Sequence, residues 1–183
     1  LFFFVAIFFI AGIFSKSFGL ESKKGEEKMK LSSPAFENHK FIPPKHTCDG
    51  EDINPALVIE NIPPQAKTFA LIVDDPDAPM GTWVHWTLWN IDPKTTEIPE
   101  DSVPKGAVQG ATNRKNSYGG PCPPDREHRY FFKLYALDTR FDLDQSADKS
   151  RLEQAMADHV ILQAELVGLY PATSKKPQRT RVL

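Results

Sequence analysis

Sixteen prolines set the limits of this 183-residue chain. They gather in clusters, IPPKH (42–46), NIPPQ (61–65), DPDAP (75–79), DPK (92–94) and GPCPP (120–124). Each ring fixes φ at about −65° and removes a backbone donor, so neither a long helix nor a central strand passes through a cluster. The stretches between clusters are short and rich in β-branched and aromatic residues. They read as strands at 54–59, 68–74, 83–91, 107–111, 129–138 and 160–169. Only 146–159 repeats apolar residues at helical spacing, through Ala147, Leu152, Ala155 and Met156, with Asp148 placed as N-cap. Many short strands with one or two short helices predict a mostly β fold, an antiparallel β-sandwich.

The two ends differ from this middle. Residues 1–14, LFFFVAIFFIAGIF, carry no charge, and Ser17 and Gly19 stand where a signal peptidase would cut. Residues 1–19 are therefore expected to be a leader that exports the protein to a periplasmic or secreted location, or an uncleaved membrane anchor. At about 1.5 Å per residue the uncharged run is short for a bilayer core. A charged linker is expected at 20–30, a single domain at 31–172 and a basic tail at 173–183, where Lys175, Lys176, Arg179 and Arg181 have no acidic neighbour. The whole chain has 22 basic and 24 acidic residues. A slightly acidic balance argues against nucleic acid as a partner. The two cysteines, Cys48 and Cys122, have no metal-ligand spacing. In an exported chain they are as readily a disulfide as two free thiols.

Strand periodicity sorts the polar residues. In TWVHWTLWN, His85 shares a face with Trp83, Thr87 and Trp89, opposite Val84, Trp86 and Leu88. In HRYFFKLYAL, His128, Tyr130, Phe132 and Leu134 share a face. Acidic residues Asp74, Asp75 and Asp77 follow the FALIV run, pinned by Pro76 and Pro79. Taken singly, each aspartate suits a local turn and each histidine a packing role. Taken together, a Gly119-Gly120 turn before Pro121, two imidazoles and the Tyr130 hydroxyl would suit an anion, with backbone N–H groups aimed into a concavity. A nearby Asp75 or Asp77 would keep the histidines charged.

DPDAP, GTWVHW and GGPCPPDREHRYFF in this order resemble the phosphatidylethanolamine-binding protein family, in its bacterial Raf-kinase-inhibitor-like branch. TCDGEDINPAL and HVILQAELVGLY are similar to that branch as well. The resemblance implies a β-sandwich with a small anion pocket. By motif, the pocket residues would be Asp75, Asp77, Trp83, His85, Gly120, Pro121, His128 and Tyr130. It implies a protein that binds a small phosphorylated or other anionic ligand and modulates a partner such as a kinase or protease, without catalysis or cofactor. Membrane contact would come only through a retained leader or through headgroup binding. One departure is that Met80, Gly81 and Thr82 stand where some members have a tyrosine, for which Tyr118 would substitute.

Three other classes compete. A hydrolase could use an Asp/His base or a Cys122 nucleophile beside His128, although no GxSxG turn is present. A zinc site fits by residue type, but the ligands lie on separate strands with no HxH or HExxH spacing, so no metal is expected. An interaction module with an idle pocket is the third.

Overall fold

The computed structural model describes residues 28–173. The leader at 1–19, nearly all of the linker and the tail beyond Thr173 lie outside the described residues. Nine strands and one α-helix follow one another in this span: β1 Lys30–Ser32, β2 Lys40–Phe41, β3 Leu57–Glu60, β4 Thr68–Asp75, β5 Trp83–Ile91, β6 Glu97–Ile98, β7 Val108–Gln109, β8 His128–Leu137, α1 Lys149–Met156 and β9 Val160–Tyr170. A 3-10 turn occupies Pro44–His46. Within the stretch expected as linker, Met29 is buried and Lys30 opens β1.

Two sheets form, one in the order β1-β3-β6 and the other β2-β9-β8-β4-β5-β7. Leu31, Leu57, Ile59 and Ile98 of the smaller sheet pack with Phe69, Leu71, Val73, Phe132 and Leu134 of the larger in one buried cluster. The fold is a β-sandwich, as expected. All strand pairs are antiparallel except β2 with β9, which run parallel. The larger sheet buries its other face too. Ala70, Ile72, Trp89 and Leu137 pack there with Leu152 and Met156 of α1. This double burial explains why β4 reads as a nearly continuous apolar run. Asp148 caps α1 by accepting the Arg151 N–H at 2.9 Å.

The alternation expected along β5 fails at His85. Val73 pairs with Trp86 but Asp74 pairs with Val84, so His85 is the extra residue of a bulge. Across the bulge, His85 and Trp86 both turn toward the sandwich interior: His85 packs on Tyr130, and Trp86 joins the inter-sheet core with Leu88. Trp89 lies on the other face, under α1. The bulge therefore separates His85 from Thr87 and Trp89, with which strict alternation had grouped it.

Candidate functional site

Three segments converge at one end of the larger sheet: the end of β4 with its DPDAP turn, the start of β5, and the loop 117–124 leading to β8. They enclose a cavity of about 370 Å³. Of the eight residues expected from sequence, Asp75, Trp83, His85, Gly120, His128 and Tyr130 line it. Asp77 and Pro121 do not. The Asp77 carboxylate faces outward and takes three bonds from Arg129, from the backbone N–H at 3.0 Å, Nε at 2.8 Å and Nη2 at 2.8 Å. Those bonds, opposed by partial burial, hold its carboxyl down at about 2. Pro121 supports the wall from behind, its carbonyl accepting the Cys48 N–H at 3.0 Å.

The histidines occupy opposite situations. His128, fully buried, has Nδ1 2.7 Å from Asp75 Oδ2 and Nε2 2.9 Å from Asp125 Oδ1. Both of its ring nitrogens are engaged, and it has no donor left for a ligand. Asp75 is likewise spent, its Oδ1 accepting the Asp77 N–H at 2.8 Å. His85 has Nδ1 2.6 Å from the Gly119 carbonyl. A carbonyl only accepts, so Nδ1 carries the proton. Burial pushes the ring's pKa down, Arg114 adds to this, and the Gly119 bond and the Asp75 and Asp52 charges resist it. The expectation that neighbouring carboxylates keep this ring charged is overturned by burial.

The glycine turn also departs from expectation. Gly119 N–H donates to the His85 carbonyl at 3.0 Å and Gly120 N–H to Asp52 Oδ1 at 2.5 Å. Neither N–H group is left for the cavity. Gly120 is required for a different reason: a Cβ there would come within 2.3 Å of the His46 carbonyl oxygen and 2.7 Å of Thr47 Cα. The loop is thus pressed against 46–52, where the Cys48–Cys122 disulfide joins the two segments with Cα atoms 5.4 Å apart. Tyr118 does not substitute for a pocket tyrosine. It is buried against Trp86 and donates to the His46 carbonyl at 2.9 Å.

The side-chain donors that remain in the lining are Tyr130, Arg114 and the indole N–H of Trp83. Tyr130 Oη is buried without a hydrogen bond of its own, and the Cys122 backbone N–H is directed toward it. Thr87 Oγ1 and Trp89 Nε1 are also buried without hydrogen bonds among the described residues, but neither residue lines the cavity. Burial and the nearby Asp75 keep Tyr130 a phenol by raising its pKa, so its proton is free to donate inward. Arg114 lines the rim from the loop after β7. Its segment, TNRKN, gives no motif signal, and sequence reasoning missed it. It also missed Asp125, three residues before His128 in DREHR. Ala78, Pro79, Met80, Pro123 and Pro124 make the rest of the wall apolar.

The family model described as phosphatidylethanolamine-binding protein matches residues 32–171. The chain belongs to the phosphatidylethanolamine-binding protein family. It is 51% identical over 157 residues to a UPF0098 protein of Pyrococcus horikoshii, covering 80% of this chain and 79% of the relative. A UPF0098 protein of Methanothermobacter thermautotrophicus is 47% identical over 148 residues, 78% of this chain and 98% of the relative. Among solved structures, a phosphatidylethanolamine-binding protein homolog from Chlamydia trachomatis superposes with a TM-score of 0.76 at 38% identity, over 82% of this chain and 99% of that one. E. coli YbcL, described as a new member of the mammalian family, gives 0.76 at 29% identity, over 80% and 100%.

Proposed function

We propose that this member of the phosphatidylethanolamine-binding protein family is a binding protein whose cavity takes the phosphoryl or similar anionic end of a small ligand. The observation that carries the reading is the unspent Tyr130 hydroxyl at the cavity wall, packed edge-on against His85 with ring centroids 5.2 Å apart. A buried hydroxyl whose proton has no acceptor is costly in an isolated fold and is relieved by a ligand acceptor. Arg114 at the rim adds the one lysine or arginine side chain among the lining residues. The apolar wall suits the organic remainder of an ester better than a bare ion.

Turnover is less well supported. The lining contains no serine or threonine, and its cysteine, Cys122, is bonded to Cys48. His128 has no nitrogen with which to activate water, because both face carboxylates. The disulfide suits an oxidising compartment, which supports the proposal that the chain is exported. Modulation of a kinase or protease partner is a separate proposal, resting on the family alone.

The test is calorimetric titration of O-phosphoethanolamine into the wild type and His85→Ala. Saturable one-site binding that weakens in the variant is expected. Equal affinity in the two proteins, or no binding to the wild type, overturns the assignment.

A further inference from the structure

His85 faces the cavity in a fixed tautomer. Nδ1–H is committed to the Gly119 carbonyl at 2.6 Å. Nε2 makes no hydrogen bond among the described residues, and it is not among the buried atoms left without one, so it opens to solvent in the cavity. In the neutral ring that nitrogen is a lone-pair acceptor. An anion in its deprotonated form offers it nothing but repulsion between lone pairs. A ligand oxygen that carries a proton completes it.

We infer that His85 Nε2 is the proton acceptor of the pocket, so that the cavity takes phosphomonoesters, with one proton held between ligand and ring, in preference to phosphodiesters and sulfate esters. This rests on the cavity being the ligand site proposed above. A phosphomonoester loses its second proton near pH 6 and retains a basic oxygen above it. The complex therefore forms either from the monoanion, whose P–OH donates to Nε2, or from the dianion with uptake of one proton. Both routes end in the same species, ligand oxygen, proton and imidazole nitrogen in line. A phosphodiester or a sulfate ester carries no such proton and has too weak a base to share one. Binding it would require the buried ring to be protonated without help.

The surroundings of His85 fit this role. Tyr130 of β8 packs its ring against His85 and has a hydroxyl able to donate to a second ligand oxygen. Asp75 at the end of β4 and Asp52 beside Gly120 favour a proton on the ring, and Arg114 opposes it. Burial is the largest influence and keeps the free ring neutral. His128, the other titratable group of the lining, is held by Asp75 and Asp125 and does not compete for the ligand proton.

Three probes share one organic part: O-phosphoethanolamine, glycerophosphoethanolamine and ethanolamine O-sulfate. Each is titrated calorimetrically into the full chain at pH 8, in buffers of different ionisation enthalpy, so that the slope counts protons taken up. The monoester is expected to bind with uptake of close to one proton per site, falling toward zero at pH 5.5, where the ligand brings its own. The diester and the sulfate should bind roughly tenfold more weakly or worse, the effect of one unmade hydrogen bond at an acceptor that the bound ligand covers. In His85→Gln, whose amide donates unaided, the proton uptake should vanish and the gap between probes should narrow. Equal binding of the three probes to the wild type, or monoester binding at pH 8 without proton uptake, overturns the inference while leaving the pocket in place. Failure of all three to bind overturns the pocket reading as well.

Discussion

Asp74 and Asp75 are consecutive residues of one strand, both buried, and they show how far a partner decides what a carboxylate is for. Asp74 points to the outer face of the larger sheet. There Lys133 Nζ lies 2.8 Å from Oδ1 and Lys149 Nζ 2.6 Å from Oδ2. Lys149 belongs to α1, so the ion triad fastens the helix to the sheet. Burial works against the proton on its Nζ, but Asp74 and Glu153 together hold it there to higher pH. Asp75 points inward and meets one imidazole and one backbone N–H. Its bonds hold the pocket wall in shape, and beside it Tyr130 and His85 keep hydrogen-bonding capacity unspent. On the outer face the charge is closed; on the inner face it braces an open site.

That contrast orders the expected effects. The largest falls on the wall itself. Replacing Cys48 and Cys122 by serine removes a link spanning 74 residues of sequence, worth about 4 kcal/mol in the chain-entropy account. It should lower both the urea midpoint and ligand affinity, because Cys122 lines the cavity. Asp74→Ala should come next, at about 3 kcal/mol, the low end for stripping one partner from a buried ion pair since both lysines reach water in part. Its folded fraction should bind ligand as the wild type does. A loss of affinity matching that of pocket variants would erase the distinction between the faces.

A smaller effect belongs to Asp77 at the rim. Its folded carboxyl titrates at about 2, below its unfolded value. The Arg129 pair therefore stabilises the protein fully above the ordinary aspartate range, and the contribution disappears as pH falls toward 2. With the guanidinium half in water, the amount is under about 1 kcal/mol. Urea midpoints of wild type and Asp77→Asn should differ at pH 5 and converge by pH 2. A difference that persists at pH 2 would refute the pair.

Much of this was legible in the sequence, for physical reasons. β4, β5, β8, β9 and α1 are long enough to show a period or a continuous apolar run, and all five stand close to where the pattern placed them. β1, β2 and β6 have two or three residues each, too few to show any period. The 54–59 and 107–111 runs shrank to Leu57–Glu60 and Val108–Gln109. In the site, four of the residues singled out in the sequence, Asp75, Trp83, His128 and Tyr130, stand on strands and line the cavity. The misses depend on partners distant in sequence. Gly120 gives its N–H to Asp52, 68 residues away, and Asp77 turns to Arg129, 52 away. The bulge at His85 breaks the period that had assigned its face, and only pairing with β4 reveals it.

The central claim is that Tyr130 keeps its hydroxyl for a ligand and not for the fold. Tyr130→Phe tests it with two readings on one protein, the thermal midpoint and calorimetric affinity for O-phosphoethanolamine. A midpoint close to the wild type is expected, because the hydroxyl donates to nothing in the fold, together with an affinity roughly tenfold lower. An unchanged affinity, or a midpoint that falls while affinity holds, would contradict it.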